Sequence, residues 1–131
     1  MNRYLLLPLV CCSALLAGCP FDVIRVEQTP ATLVSAPSPK PSFVLEQDVS
    51  IDLGFGYKRA LRKGTRWTYV GTIASGDVYK TTDQVLTVEA SNIHEAYIVV
   101  EDRKLVGFYL PVERTYTRAV GSKSLPARDA P

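Results

Sequence analysis

The sequence predicts a small all-β domain, and three observations indicate it. Stretches rich in β-branched and aromatic residues recur along the chain from residue 43 onward, as is typical of strands. Turn-forming residues separate these stretches at intervals of about 8 to 15 residues, which is the spacing of a β barrel or sandwich. No stretch repeats its apolar residues at the helical period of about 3.6. We therefore expect a small barrel or sandwich of about five to seven mostly antiparallel strands.

Three segments carry the clearest strand signals. Residues 49–53 alternate apolar and acidic or hydroxyl side chains, so one face of this strand is expected to be buried. Residues 65–73 contain Trp67 among several β-branched residues and predict a second strand. Residues 93–100 and 105–110 flank a charged four-residue turn, which predicts a hairpin. The predicted domain is comparable in size to an SH3 domain.

The predicted hairpin is apolar on both faces, unlike the strand at 49–53. A strand that is buried on both faces needs a second layer over each of them. Because the sequence offers no helix for this purpose, the second face must be covered by the segment before the domain, a crossing strand or another protein. A sheet that curls around its own core is the other explanation. If another protein or a second copy supplies the cover, the contact is predicted at Tyr97, Val99, Phe108 and Tyr109.

The N-terminus has the layout of a secretory leader. Arg3 is followed by an apolar run over residues 4–16 and then by small side chains. A run of about 13 residues is too short to cross a bilayer core, which needs roughly 20. The run ends in Leu16-Ala17-Gly18-Cys19, which resembles the lipobox of bacterial lipoproteins at all four positions.

This resemblance implies a processed and lipidated chain. In the lipoprotein class, the bond between the residues that match Gly18 and Cys19 is cut after the cysteine thiol has received a diacylglycerol. Cys19 would then carry palmitate-type acyl chains, and two or more chains give stable membrane anchoring. Residue 20 is Pro20 and not the aspartate that favours retention in the inner membrane. The expected location is the bacterial cell envelope, with a periplasmic domain and the outer membrane favoured over the inner membrane.

Length and composition limit the domain to one unit without disulfides. The chain has 131 residues, and removal of the leader leaves about 113, which is the size of a single domain. Two of the three cysteines, Cys11 and Cys12, lie in the leader. A Cys-based zinc site and a thiol nucleophile are therefore excluded from the mature chain, and we expect no metal or cofactor. The net charge of +2 argues against a nucleic-acid partner.

The expected organisation has four parts. A signal peptide over residues 1–18 precedes a lipidated, proline-rich linker over 19–42, which would reach about 70 Å if fully extended. The β domain occupies residues 43–120, and a polar tail over 121–131 is expected to be disordered. Residues 21–26 alternate in character, and a short strand docked on the domain or on another protein is the alternative for them.

Two groups of polar residues were considered for chemistry or binding. His94 is the only histidine and lies beside Glu95, a setting more typical of a surface strand than of a general base. A basic run is a candidate contact for anionic head groups, lipopolysaccharide phosphates or an acidic protein. Its alternative role is to keep a sheet edge solvated. The run consists of Lys58, Arg59, Arg62, Lys63 and Arg66.

The sequence of Ser75-Gly76-Asp77-Val78-Tyr79 is similar to the Ser-Gly-containing loop of the small β-barrel lysozyme inhibitors. The second motif of that family, which carries Thr-Lys-Gly, is absent, so a β-turn is the better explanation of these residues. We expect a non-enzymatic protein-interaction or structural module of an envelope or secretion assembly, with the membrane reached through acyl chains on Cys19. The alternative is an inhibitor or sequestering protein for a periplasmic hydrolase.

Overall fold

The structure, a computed structural model, describes residues 27–54, 57–89 and 93–130. These residues form strands and turns without any helix, which confirms the all-β prediction, and every strand pair is antiparallel. The strands are β1 (Thr29–Pro30), β2 (Ser42–Leu45), β3 (Val49–Gly54), β4 (Tyr57–Leu61), β5 (Arg66–Ile73), β6 (Gly76–Lys80), β7 (Thr87–Glu89), β8 (Ile93–Glu95), β9 (Tyr97–Glu101), β10 (Lys104–Leu110), β11 (Thr115–Ser124) and β12 (Ala127–Ala130).

Eight strands form one sheet in the order β1-β11-β10-β9-β6-β5-β2-β12, and β3-β4 and β7-β8 form two separate hairpins. The described part therefore contains twelve strands, more than the predicted five to seven. The excess arises because the segments before residue 43 and after residue 120 add strands, and because the region 93–101 divides into β8 and β9 at the buried Ala96.

The main core lies between one face of the large sheet, which we call the inner face, and the two small hairpins. Its centre is formed by Trp67 of β5 and Phe108 of β10, both fully buried. Strand β3 packs Val49, Ile51 and Leu53 into this core while Ser50 faces solvent, as the alternation in the sequence predicts. Thr65 accepts a 3.0 Å hydrogen bond from the indole N–H of Trp67, so the buried nitrogen is satisfied.

A second apolar cluster lies on the opposite, outer face of the large sheet. Its buried members are Ile73, Val78, Val99 and Tyr109. Residues 29–34, which we call the N-terminal strap, cross this face and pack Ala31 and Leu33 against the cluster. The outer face is therefore covered by the segment that precedes the domain, one of the three covers that the sequence suggests.

Backbone hydrogen bonds fix both ends of the strap. The N–H of Ala31 donates to the carbonyl of Arg114 at 3.0 Å, next to the pairing of β1 with β11. Val34 and Thr72 exchange hydrogen bonds of 2.9 and 2.8 Å at the edge of β5. This corrects the expectation that residues 19–42 form a disordered linker, at least from residue 27 onward. The physical reason is that burying Ala31 and Leu33 on the apolar outer face stabilises the docked segment by more than its prolines destabilise it.

The C-terminal segment is also part of the sheet, which corrects the expectation of a disordered tail over 121–131. Residues 121–124 complete β11, and β12 pairs along its whole length with β2. The N–H of Leu125 donates to the carbonyl of Arg103 at 3.1 Å, and Leu125 packs on the main core. Main-chain pairing does not depend on side-chain polarity, so a polar composition did not reveal these strands.

The predicted hairpin is present as β9 and β10, with a tighter turn than expected. Glu101 pairs with Lys104, which leaves Asp102 and Arg103 as the two loop residues. Both have positive φ angles, 49° and 60°, as a type I′ turn requires.

Candidate functional site

The predicted anchor lies outside the described residues, and so do the cleavage position at Gly18 and Cys19 and the alternating segment 21–26. Within the described ranges, no helix has the length and apolar character needed to cross a membrane.

The hairpin residues expected to contact a partner are covered by the protein itself. Val99 and Phe108 are fully buried and Tyr109 is 4% exposed, while Tyr97 is partly buried. Phe108 faces the main core, and the other three face the cluster beneath the strap. This corrects the expected contact surface at these four residues. The physical reason is that each apolar face of the hairpin already has its own layer within the chain.

The five residues of the basic run are spread over β4, the following turn and the start of β5. Arg59 donates from Nε to the carbonyl of Thr87 at 2.9 Å, which ties β4 to β7. Lys58 lies directly opposite Asp52 in the β3–β4 pairing. These two cations therefore have structural or charge-paired surroundings within the hairpin region.

Of the other members, Lys63 and Arg66 lie next to carboxylates, and the main-chain N–H of Arg62 donates to the side-chain oxygen of Gln84 at 3.0 Å. The main-chain N–H of Lys63 donates to Asp48 at 2.7 Å, and that of Arg66 donates to Asp83 at 2.6 Å. Arg62, Lys63 and Arg66 expose their side chains. Lys58 is exposed as well, so four of the five basic side chains reach solvent and Arg59 is partly buried.

His94 pairs with a residue that is distant in sequence. Its Nδ1 atom lies 2.5 Å from Oε1 of Glu113, which joins β8 to the turn before β11, whereas Glu95 is exposed. Oε2 of Glu113 is buried and has no hydrogen-bond partner. In the described ranges, no three His, Cys, Asp or Glu side chains lie close enough to hold a metal ion.

A cavity of about 420 Å³ lies between β2, β6, β12 and the turn after β9. Phe43 and Tyr79 form its aromatic wall and meet edge to face, with ring centroids 4.9 Å apart. Charged side chains surround the opening, where they can meet a ligand or a partner. The charged lining residues are Lys40, Asp77, Asp102, Arg103 and Asp129.

A chain of polar contacts fixes one side of this cavity. The hydroxyls of Tyr69 and Thr72 lie 2.6 Å apart, and Thr72 donates to Oδ1 of Asp77 at 2.9 Å. The other carboxylate oxygen of Asp77 accepts a hydrogen bond from Lys40 in an ion pair. A β-bulge between Tyr69 and Gly71 turns Thr72 to the same face as Tyr69, which makes the chain continuous.

Two groups in the cavity have pKa values raised above their ordinary values, further from neutral pH. Burial, reinforced by the charge of Asp77, raises the pKa of Tyr79 to about 12. The hydrogen bond from Lys40 to Asp77 raises the pKa of the ammonium group. Tyr79 therefore remains a neutral phenol and Lys40 a cation throughout the physiological range.

Fixed protonation states suit recognition better than proton transfer. A general acid or base works best when its pKa lies near the working pH. The pKa values of Tyr79 and Lys40 are both raised, which moves them further from neutral pH. Charges of both signs beside Phe43 and Tyr79, whose rings are buried except for their edges at the cavity, can instead hold an extended polar segment. The cavity is therefore a candidate binding site.

Most of this site cannot be predicted from the sequence. Asp77 and Tyr79 belong to the turn motif at 75–79, and Lys40 lies in the predicted linker. Asp102 and Arg103 lie in the predicted hairpin turn, and Asp129 in the predicted tail. The motif itself forms the β5–β6 turn and the start of β6, where Asp77 is engaged by Thr72 and Lys40. The long-range pairing of β12 brings these residues together, and no local pattern could have revealed it.

Comparison with known proteins adds no relative. The chain matches no protein-family model, no curated protein and no solved structure.

Proposed function

We propose that this protein is a lipid-anchored, non-enzymatic interaction module of the bacterial cell envelope. The lipobox-like residues before Cys19 support the anchor, with acyl chains on the cysteine and the outer membrane favoured over the inner. The observation that carries the interaction part is the cavity beside β12, where the aromatic wall of Phe43 and Tyr79 lies next to charged side chains of both signs. Its partner would be an envelope or secretion-apparatus protein that inserts an extended segment.

The domain is best regarded as a small barrel or sandwich with an open edge. Support comes from the eight-stranded sheet, whose first and last strands are not paired with each other, and from the two hairpins that cover its inner face. The cavity lies beside the last strand of this open sheet, so a partner segment can approach from solvent.

The interaction is tested by capture from detergent-solubilised envelope with the full chain as bait. Lys40→Glu reverses the charge that pairs with Asp77 and adds a fourth carboxylate to the three that already line the cavity. Lys123→Glu makes the same change at an exposed residue of β11 that does not line the cavity. We expect a partner that is captured by the wild-type and Lys123→Glu chains and lost with Lys40→Glu. Equal capture by both variants would reject the cavity as the contact.

The same experiment distinguishes the alternative function. An inhibitor or sequestering protein would retain a hydrolase, which is identified by mass and by loss of its activity when the purified chain is added. The anchor is tested separately, by palmitate incorporation into the wild-type chain and its absence from Cys19→Ser. An unlabelled wild-type chain would reject the lipoprotein assignment. The capture experiment would still test the cavity as a contact site, because it does not depend on the anchor.

A further inference from the structure

The strand register brings three cations from distant parts of the chain onto one face of the large sheet. Arg66 of β5 lies opposite Val44 of β2, and Val44 lies opposite Arg128 of β12. Residues directly opposite each other in antiparallel strands point to the same side. Arg66 and Arg128 therefore lie in one row, separated by about 10 Å across two strand spacings.

The third cation, Lys80, extends this row across β6. Lys80 lies opposite Thr68, which is two residues along β5 from Arg66 and hence on the same side. All three cations and Thr68 are exposed. We call the surface formed by Arg66, Lys80 and Arg128 the basic face. It differs from the basic run in the sequence, because only Arg66 belongs to both.

The basic face lies on the same side of the sheet as the N-terminal strap. Val78 belongs to the cluster beneath the strap, and it precedes Lys80 by two positions on β6. Side chains two positions apart on a strand share a face and lie about 7 Å apart. The outer face is thus apolar where Leu33 covers it and basic where the strap ends.

The balance of charge on this face is positive. Asp83, just after β6, accepts the main-chain N–H of Arg66, and Glu46 follows the end of β2. Glu46 lies two positions after Val44 and therefore on the same side of the sheet, so the three cations and two carboxylates leave a net charge of +1 here. The surface therefore suits a partner that presents many closely spaced negative charges.

We propose that the basic face lies against anionic phosphate head groups of the membrane to which the protein is anchored. This rests on the proposed lipid anchor at Cys19. The strap begins only ten residues after Cys19, which limits the separation to about 35 Å even for a fully extended chain. A domain of about 100 residues has a radius of gyration of about 13 Å, so the face that carries the strap can reach the lipid surface.

The charge complementarity selects this occupant over an apolar partner. Each Lys or Arg close to an anionic lipid surface contributes about a fivefold gain in binding. Arg66 is also engaged within the domain, so the contribution comes mainly from Lys80 and Arg128. Two such residues are too few to anchor a protein by themselves but enough to orient one that is already anchored. The domain would then present its opposite side, which carries the main core and the small hairpins, to the periplasm.

The test measures how well vesicles shield the basic face in the full chain. Thr68→Cys introduces a thiol in the middle of the face, and Val112→Cys introduces one at a residue that is 78% exposed in the turn before β11. Each chain is bound to phosphatidylcholine vesicles with or without phosphatidylglycerol and treated with a membrane-impermeant maleimide. The labelling rate at the introduced cysteine is read by peptide mass spectrometry, so that other thiols do not interfere.

We expect labelling at position 68 to slow by about fivefold or more when phosphatidylglycerol is present, with position 112 unaffected. High salt, or the combined change Lys80→Gln and Arg128→Gln, should restore the rate. Arg66 is left in place because it is engaged within the domain. An equal rate at position 68 in both vesicles overturns the proposal.

The anchor and the basic face fail in different ways. A chain that does not float with phosphatidylcholine vesicles lacks the anchor, and this rejects the lipoprotein assignment alone. In that case the domain is held on the same two kinds of vesicle through an N-terminal His tag on a nickel-chelating lipid, and labelling at position 68 then decides the basic face. If position 68 is protected only after envelope proteins are added, the face binds an acidic protein and the lipid proposal is wrong.

Discussion

The side chain of Tyr116 crosses the backbone at Gly107. A Cβ atom at Gly107 would lie 2.5 Å from Cε2 of Tyr116 and against the carbonyl of Thr117. The hydroxyl of Tyr116 passes this point and donates to the carbonyl of Val106 at 3.1 Å. Strands β10 and β11 can therefore approach each other here only because residue 107 has no side chain.

Gly107→Ala should destabilise the domain by about 3 kcal/mol, at the upper end of the usual cost of overpacking, because the backbone of β11 cannot move aside. The free energy of unfolding in urea measures this. Gly64→Ala is the control, since a Cβ at Gly64 meets no atom within 4 Å and the change costs only the strain of a positive φ, about 1 kcal/mol. If the two variants are equally stable, the close contact between Tyr116 and Gly107 does not limit the stability of the domain.

Leu33→Ala should loosen the N-terminal strap. Leu33 packs on the outer cluster and fills the space above Gly71, so its truncation removes the largest apolar contact of the strap. We expect proteolytic cleavage within the strap to become about tenfold faster, which corresponds to about 1.4 kcal/mol of local stability. Thr32→Ala changes an exposed neighbour and should leave the rate unchanged. Equal rates in both variants would argue against docking of the strap.

Stability should fall in alkaline solution because of Tyr79. Burial raises its pKa to about 12 from an ordinary 10, so the folded state favours the neutral phenol. This contribution is complete below pH 10 and is lost as the pH rises toward 12. We expect a loss on the order of 1–2 kcal/mol, since the ring borders an open cavity.

Urea unfolding at pH 8 and above measures this dependence. Tyr79→Phe should flatten it without abolishing it, because burial also raises the pKa of Tyr97 and Tyr116. If the slope of stability against pH is the same in wild type and Tyr79→Phe, the phenol does not contribute.

Arg103→Gly should stabilise the β9–β10 hairpin. Arg103 has a φ of 60° at the second position of the type I′ turn, where glycine is preferred. Removing this backbone strain should add about 0.5–1 kcal/mol, seen as a rise in the melting temperature. Lys104→Gly, at the first strand position after the turn, should instead lower it. A fall in both variants would show that the Arg103 side chain matters more than the turn.

Local patterns predicted the strands but not their partners. The alternation over residues 49–53 predicted the buried face of β3 correctly, because the polarity of each side chain in this strand indicates whether it is buried. The two apolar faces of β9 and β10 also indicated a second covering layer. The sequence does not identify that layer, since the strap contributes only Ala31 and Leu33 to the outer cluster.

The basic face and the cavity could not be predicted from the sequence either, because both depend on the pairing of distant strands. Arg66, Lys80 and Arg128 are separated by up to 62 positions and meet only through the registers of β5, β2 and β12. The bulge after Tyr69 likewise exchanges the faces of the later residues of β5, so that Ile73 joins the outer cluster and Thr72 the inner face. A single inserted residue of this kind leaves no mark in the periodicity.

The strap also determines where the folding unit starts. A recombinant fragment cut at Phe43, where the strand signals in the sequence begin, would lack the residues that shield Val99 and Tyr109. That fragment would expose an apolar sheet face beside an unpaired strand edge, a combination that favours aggregation. Expression of the domain for biochemical work should therefore begin no later than Glu27, and fusion partners belong upstream of that residue.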